Sequence, residues 1–167
     1  MKRLIALIIA LAAVAVVAAG CGGGGAGGGS GSAYGGPVAP AAANTAGGAA
    51  VAMRTTQLGP TLVDSQGRTL YLFEKDKTTA STCNGACASV WPPLTTNGKP
   101  QAQAGISAAK LGTTKRSDGK LEVTYAGHPL YYYVSDTKPG QLSGEGLDQF
   151  GAPWDAVAPS GKGIDKD

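Results

Sequence analysis

Apolar positions fall into three regimes along this chain. From Leu4 to Ala19 they run unbroken for 16 residues behind Lys2 and Arg3. A charged start, an apolar core and the small residues Ala18-Ala19-Gly20 predict a secretory signal peptide over residues 1–20. The run is also shorter than the ~20 residues a spanning helix needs. From Gly22 to Ala50 the chain carries 12 Gly and 9 Ala, with no charge and no large aliphatic residue beyond Val38. Such a tract buries too little to offset its ordering entropy, so residues 21–50 read as a disordered tether with an r.m.s. span of about 30 Å. From residue 51 to 167 the pattern changes to short segments of period two, which predicts one β domain.

Within that domain the pattern repeats. Leu70-Tyr71-Leu72-Phe73-Glu74-Lys75-Asp76 aligns with Leu130-Tyr131-Tyr132-Tyr133-Val134-Ser135-Asp136 at an offset of 60, as does Gly67 with Gly127. A tryptophan follows each run, Trp91 and Trp154. An internal duplication accounts for this, with repeat one at about residues 56–98 and repeat two at about 113–160. Both aromatic runs read as strands. Tyr71 and Phe73 share one face and Leu70 and Leu72 the other; Tyr131 and Tyr133 face away from Leu130, Tyr132 and Val134. Asp64-Ser65-Gln66-Gly67 and Ser117-Asp118-Gly119-Lys120 are hairpin signals, and Leu121–Tyr125 alternates as a half-buried strand. Only 87–91 and 104–111 suit helix. The expected fold is all-β and mainly antiparallel, two related hairpin units with one or two short helical turns.

Two resemblances follow from these residues. Ala18-Ala19-Gly20-Cys21 resembles the lipobox of bacterial lipoproteins, in which the cysteine receives a diacylglycerol and becomes the mature N-terminus. Tyr71-x-Phe73-x-x-Asp76 and Tyr131-x-Tyr133-x-x-Asp136 resemble the Yx(FWY)xxD motif of a family of bacterial lipoproteins, the secreted repeat of unknown function. Cys83-Asn84-Gly85-Ala86-Cys87, Trp91-Pro92-Pro93 and Gly127-His128-Pro129 are similar to that family too. Asp155 after Trp154 departs from it, since an aromatic or His is the expected residue there. The resemblance implies a duplicated envelope domain on a lipid anchor and no established activity.

Charge and candidate chemistry narrow the function. Without Lys2 and Arg3, the mature chain has 12 basic against 11 acidic residues, which gives no case for a nucleic-acid partner. Cys83 and Cys87, outside the cytoplasm, are expected to form a disulfide. The alternative is a redox or metal site that joins them to His128, the single histidine, with Met53 as a further ligand in the case of copper. The dithiol spacing is one residue too long for a thioredoxin-type motif, and zinc wants four ligands. Asp76 and Asp136, each ending a strand, are expected to cap turns; a carboxylate pair of a hydrolase is the second alternative. Tyr71, Phe73, Tyr131, Tyr133, Trp91 and Trp154 form either an aromatic core or a groove for a small apolar or aromatic ligand. No catalytic constellation is present in the sequence. The expectation is therefore a non-catalytic binding or interaction module without a cofactor, lipid-anchored on the extracytoplasmic face of a membrane, with an envelope protein or small apolar ligand as partner.

Overall fold

The computed structural model describes residues 47–164; the expected signal peptide, Cys21 and the expected tether through residue 46 lie outside the described residues. In chain order come β1 (Ala50–Thr56), β2 (Gly59–Asp64), β3 (Tyr71–Phe73), α1 (Ala86–Val90), β4 (Thr95–Thr96) and β5 (Gln101–Ala102). A 3₁₀ turn (Ala108–Lys110) follows, then β6 (Leu111–Lys115), β7 (Leu121–Tyr125), β8 (His128–Pro129), β9 (Leu147–Gln149) and β10 (Ala152–Ala156). Every strand pair is antiparallel except β1 with β5.

The duplication is visible in the hairpins. β1–β2 opens repeat one and β6–β7 opens repeat two, and their turns hold Gly59 and Gly119, again at an offset of 60. After each hairpin the chain reverses through Gly67 or Gly127, at φ +79 and +91. A side chain at such φ is strained, so glycine suits both corners. The strands assort as β2–β1–β5, as β3–β10–β9, and as β4–β7–β6 with β8 also on β7. Because β10 of repeat two pairs with β3 of repeat one, the two copies share a sheet.

Period two distributes the aromatic runs between two cores. Leu70, Leu72 and Leu130 enter one, with Val51, Leu62, Leu94, Val123, Tyr125 and Val157. Tyr71, Phe73 and Tyr131 enter the other, with Cys83, Cys87, Trp91, Trp154 and Ala156. Both faces are therefore covered, at roughly 2 kcal/mol for each fully buried apolar side chain.

Four expectations change. The run 70–76 is a strand only over Tyr71–Phe73, and in the run 130–136 only Tyr131 makes ladder-like bridges, to Tyr71 and Pro93. The reason is the turn closed by each aspartate, where Asp76 N–H donates to Phe73 O at 2.9 Å and Asp136 N–H to Tyr133 O at 3.1 Å. Val134, beyond the last bridge, is 55% exposed instead of facing a core. In addition, β7 is not half-buried: Glu122 and Thr124, the polar members of its alternation, are 0% and 4% exposed. Residues 81–84 of repeat one reach this strand through Arg116 and cover the Glu122 side. Among the described residues helix is confined to α1, which starts and ends one residue before the expected 87–91, and to the 3₁₀ turn inside the expected 104–111. Ala49 and Ala50, at the end of the expected tether, belong to the fold: Ala49 N–H donates to Thr96 Oγ1 at 2.9 Å and Ala50 starts β1.

Candidate functional site

The motif residues converge on the seam between the repeats. Tyr71 and Tyr131 exchange backbone hydrogen bonds, each N–H to the other's carbonyl at 2.9 Å. Their side chains then cross. Tyr71 Oη donates to Asp136 Oδ2 at 2.5 Å, and Tyr131 Oη donates to Asp76 Oδ2 at 2.6 Å. The second carboxylate oxygen of each aspartate ties down its own loop: Asp76 Oδ1 accepts from Thr82 N–H (2.8 Å) and Oγ1 (2.6 Å), and Asp136 Oδ1 from Ser143 N–H (2.9 Å). The spacing Tyr-x-aromatic-x-x-Asp thereby gains a physical meaning. The tyrosine bonds the other repeat's aspartate, the third residue's carbonyl accepts the aspartate's N–H, and the aspartate fastens the following loop. Burial first, then the Asp136 hydrogen bond and charge, raises the Tyr71 phenol far above its ordinary range. For Tyr131 burial again leads, followed by the Glu122 charge and the Asp76 hydrogen bond. Asp76 and Asp136 are 2% and 8% exposed and meet opposite tyrosines, so they do not form a carboxylate pair in an open cleft.

The aromatic rings cross the seam in the same way. Phe73 stacks on Trp154 (centroids 4.0 Å, 8°), Trp154 on Trp91 (4.0 Å, 5°), and Trp91 meets Tyr133 (4.5 Å, 32°). Tyr71 and Tyr131 approach Trp91 and Trp154 edge-on at 5.4 and 5.2 Å. Both indole N–H groups end on Gln149, Trp91 on its side-chain Oε1 and Trp154 on its carbonyl, each at 3.0 Å. Phe73, Trp91, Trp154, Tyr71 and Tyr131 are at most 2% exposed, so these rings are core and not a groove. Tyr133, half-buried, ends the column and lines a cavity of about 220 Å³ with Arg68, Pro92, Tyr132, Val134 and Asp136. Arg68, the repeat-one counterpart of His128, stacks 4.0 Å above Tyr132 and pairs with Asp64 at 2.8 Å.

Cys83 and Cys87 form a buried disulfide, Cα–Cα 5.2 Å. The five-residue α1 has no side-chain cap and is too short to persist alone, so the disulfide and Trp91 hold it. Neither sulfur is a thiolate for redox exchange or metal binding in this state. Among the described residues no group of three or more His, Cys, Asp or Glu is placed to hold a metal ion. His128 is half-buried in β8, opposite Tyr125, and Met53 is 40% exposed on β1.

The structure adds a pair that sequence reasoning missed. Arg116 Nη1 donates to Glu122 Oε2 at 2.7 Å, with both side chains at most 2% exposed. Arg116 also donates to Ser81 Oγ (2.6 Å), Cys83 O (2.7 Å) and Asn84 Oδ1 (3.2 Å). Ser81 Oγ lies 2.7 Å from Tyr131 Oη, whose proton is committed to Asp76, so Ser81 is the donor there. Burial lifts the Glu122 carboxyl to about 7, against the pull of Arg116. The signal was available: at the offset of 60, Glu122 stands where repeat one has Leu62, and Arg116 where it has Thr56.

These features define a duplicated all-β domain whose repeats complete each other at one seam. The chain belongs to the Lipoprotein_15 family, the secreted repeat of unknown function, which matches residues 52–95 and again 112–158, together more than half of its length. No curated protein and no solved structure matches the chain. Both family matches fall on the two repeats read from the residues, and a secreted family places the domain outside the cytoplasm.

Proposed function

We propose that this chain is a lipoprotein of the cell envelope, anchored through a diacylglycerol on Cys21, whose duplicated domain is a non-catalytic binding or interaction module. One observation carries this reading: the motif residues are spent inside the fold. A buried aspartate that accepts from a tyrosine and from its own loop is committed as a structural acceptor, even where, as at Asp136, it borders the seam cavity. Recognition then falls to the surface. The cavity at the seam has apolar walls in Pro92, Tyr132 and Tyr133, with Val134 exposed beside them. Such walls suit a small apolar or aromatic ligand, or an apolar side chain of an envelope protein.

The test is a photo-activated cross-linking residue at Val134 in the exporting bacterium. A discrete adduct, lost on Arg68→Ala, is the expected result. Absence of any adduct, together with turnover of an envelope substrate abolished by Asp76→Asn in a folded chain, would replace the binding reading with a hydrolase. Separately, Cys21→Ser should release the chain from the membrane fraction; retention there would overturn the lipid anchor.

A further inference from the structure

We infer that the Cys83–Cys87 disulfide and the buried Arg116–Glu122 pair form one redox-conditional lock between the repeats: the second repeat keeps its buried charges in place only while the first repeat's disulfide is closed.

The argument begins with the acceptors of Arg116. Besides Glu122 it bonds Ser81, Cys83 and Asn84, all within four residues of repeat one. That stretch lies outside helix and strand. It is fastened at one side by Asp76, through Thr82, and at the other by the disulfide to α1. A guanidinium needs its acceptors in fixed directions, because its donors form a rigid fork. Opening the disulfide frees the peptide that carries two of them, the Cys83 carbonyl and the Asn84 side chain.

The pair has little margin for that loss. Glu122 Oε1 and Arg116 Nε have no hydrogen-bond partner, although Asp118 Oδ2 lies 3.6 Å from Nε. A buried pair is favourable only when its remaining donors and acceptors are satisfied, and removing partners leaves charge uncompensated.

Comparison of the copies sharpens the point. Repeat one fills the corresponding positions with Thr56 and Leu62: Thr56 bonds Thr61 locally and Leu62 sits in the apolar core. Repeat two has Ser143 and Leu147 at the offset positions of Cys83 and Cys87. The ion pair belongs to repeat two alone and the disulfide to repeat one alone, and these two breaks in the internal symmetry touch each other.

The redox step balances simply. A dithiol reductant gives two electrons and two protons to the disulfide; Cys83 and Cys87 become thiols and the reductant becomes a cyclic disulfide. Closure is the reverse, with a disulfide compound as oxidant. A chain in a reducing compartment lacks the closed loop, and the lock forms when the chain reaches an oxidising one.

A double-mutant cycle on the exported full chain tests the inference. Its corners are wild type, Cys83→Ala/Cys87→Ala, Arg116→Thr/Glu122→Leu (the residues repeat one uses), and all four changes. Loss of the disulfide should lower the folding equilibrium constant about tenfold more with the native pair than with Thr and Leu. Equal losses in the two backgrounds overturn the inference. Should a variant not fold, hydrogen exchange on the unmutated protein answers the same question. Reduction should accelerate exchange in β6–β7 about tenfold as well as in 81–91; acceleration confined to 81–91 overturns the lock.

Discussion

Tyr71 and Asp136 are 65 residues apart in sequence and 2.5 Å apart in space, and their bond is mirrored by that of Tyr131 with Asp76. Each link is a charge-assisted bond at a buried carboxylate, worth roughly 1.5–3 kcal/mol. Tyr71→Phe and Tyr131→Phe should each destabilise the domain by about that amount. Crossing also dictates which pairs couple. Tyr71→Phe combined with Asp136→Asn should be clearly non-additive in urea unfolding, while Tyr71→Phe with Asp76→Asn should add. Reversal of that pattern would refute the crossed assignment.

The aromatic column leaves no room beside Gly144. A Cβ there would lie 2.8 Å from Trp91 Cη2 and 3.0 Å from Tyr133 Cβ. Gly144→Ala should therefore cost about 1–3 kcal/mol by overpacking. It should also weaken the near-ultraviolet circular dichroism of the stacked indoles. An unchanged spectrum and midpoint would mean the column yields more easily than its packing indicates.

Glu122 makes stability depend on acidity in an unusual direction. Its carboxyl rises from 4.5 to about 7 on folding, because burial outweighs Arg116. The folded state thus holds the proton more tightly than the unfolded one. The contribution is fully present below pH 4.5 and is lost as pH climbs to about 7. The melting temperature of wild type should fall across that window more steeply than that of Glu122→Gln. Parallel slopes for the two proteins would contradict this.

At the alkaline end, Tyr71, Tyr131 and Tyr132 behave alike. Burial raises all three phenols well above the ordinary 10.0. Their stabilisation is complete below pH 10.0 and declines above it as the unfolded state ionises first. Tyrosinate absorbance should reach full amplitude only together with loss of the fold. Complete ionisation of a still-folded domain would show that these hydroxyls are accessible.

Much of this architecture is legible in the residues because the duplication doubles each signal. The offset of 60 identifies both units, period two assigns Leu70 and Tyr71 to opposite faces, and Asn84-Gly85 between two cysteines marks a closed loop. Less legible is what depends on distant partners. Alternation in Leu121–Tyr125 says that Glu122 should face water, since nothing local announces that residues 81–84 of the other repeat will cover it. The same limit applies to Gln149, which takes both indole protons yet sits in a strand with no motif of its own. The aspartates read correctly as turn residues, but the crossed tyrosine bonds need the seam to be known.

The crossing has a further consequence for chains that carry the motif once. Within one unit, the tyrosine and the aspartate five positions later do not bond each other; each is bound by its counterpart in the neighbouring unit. A lone copy built this way would hold two open half-bonds, both of which a twin molecule in the same arrangement would close. The seam described here has the form of a symmetric two-chain interface that a connecting peptide has made permanent.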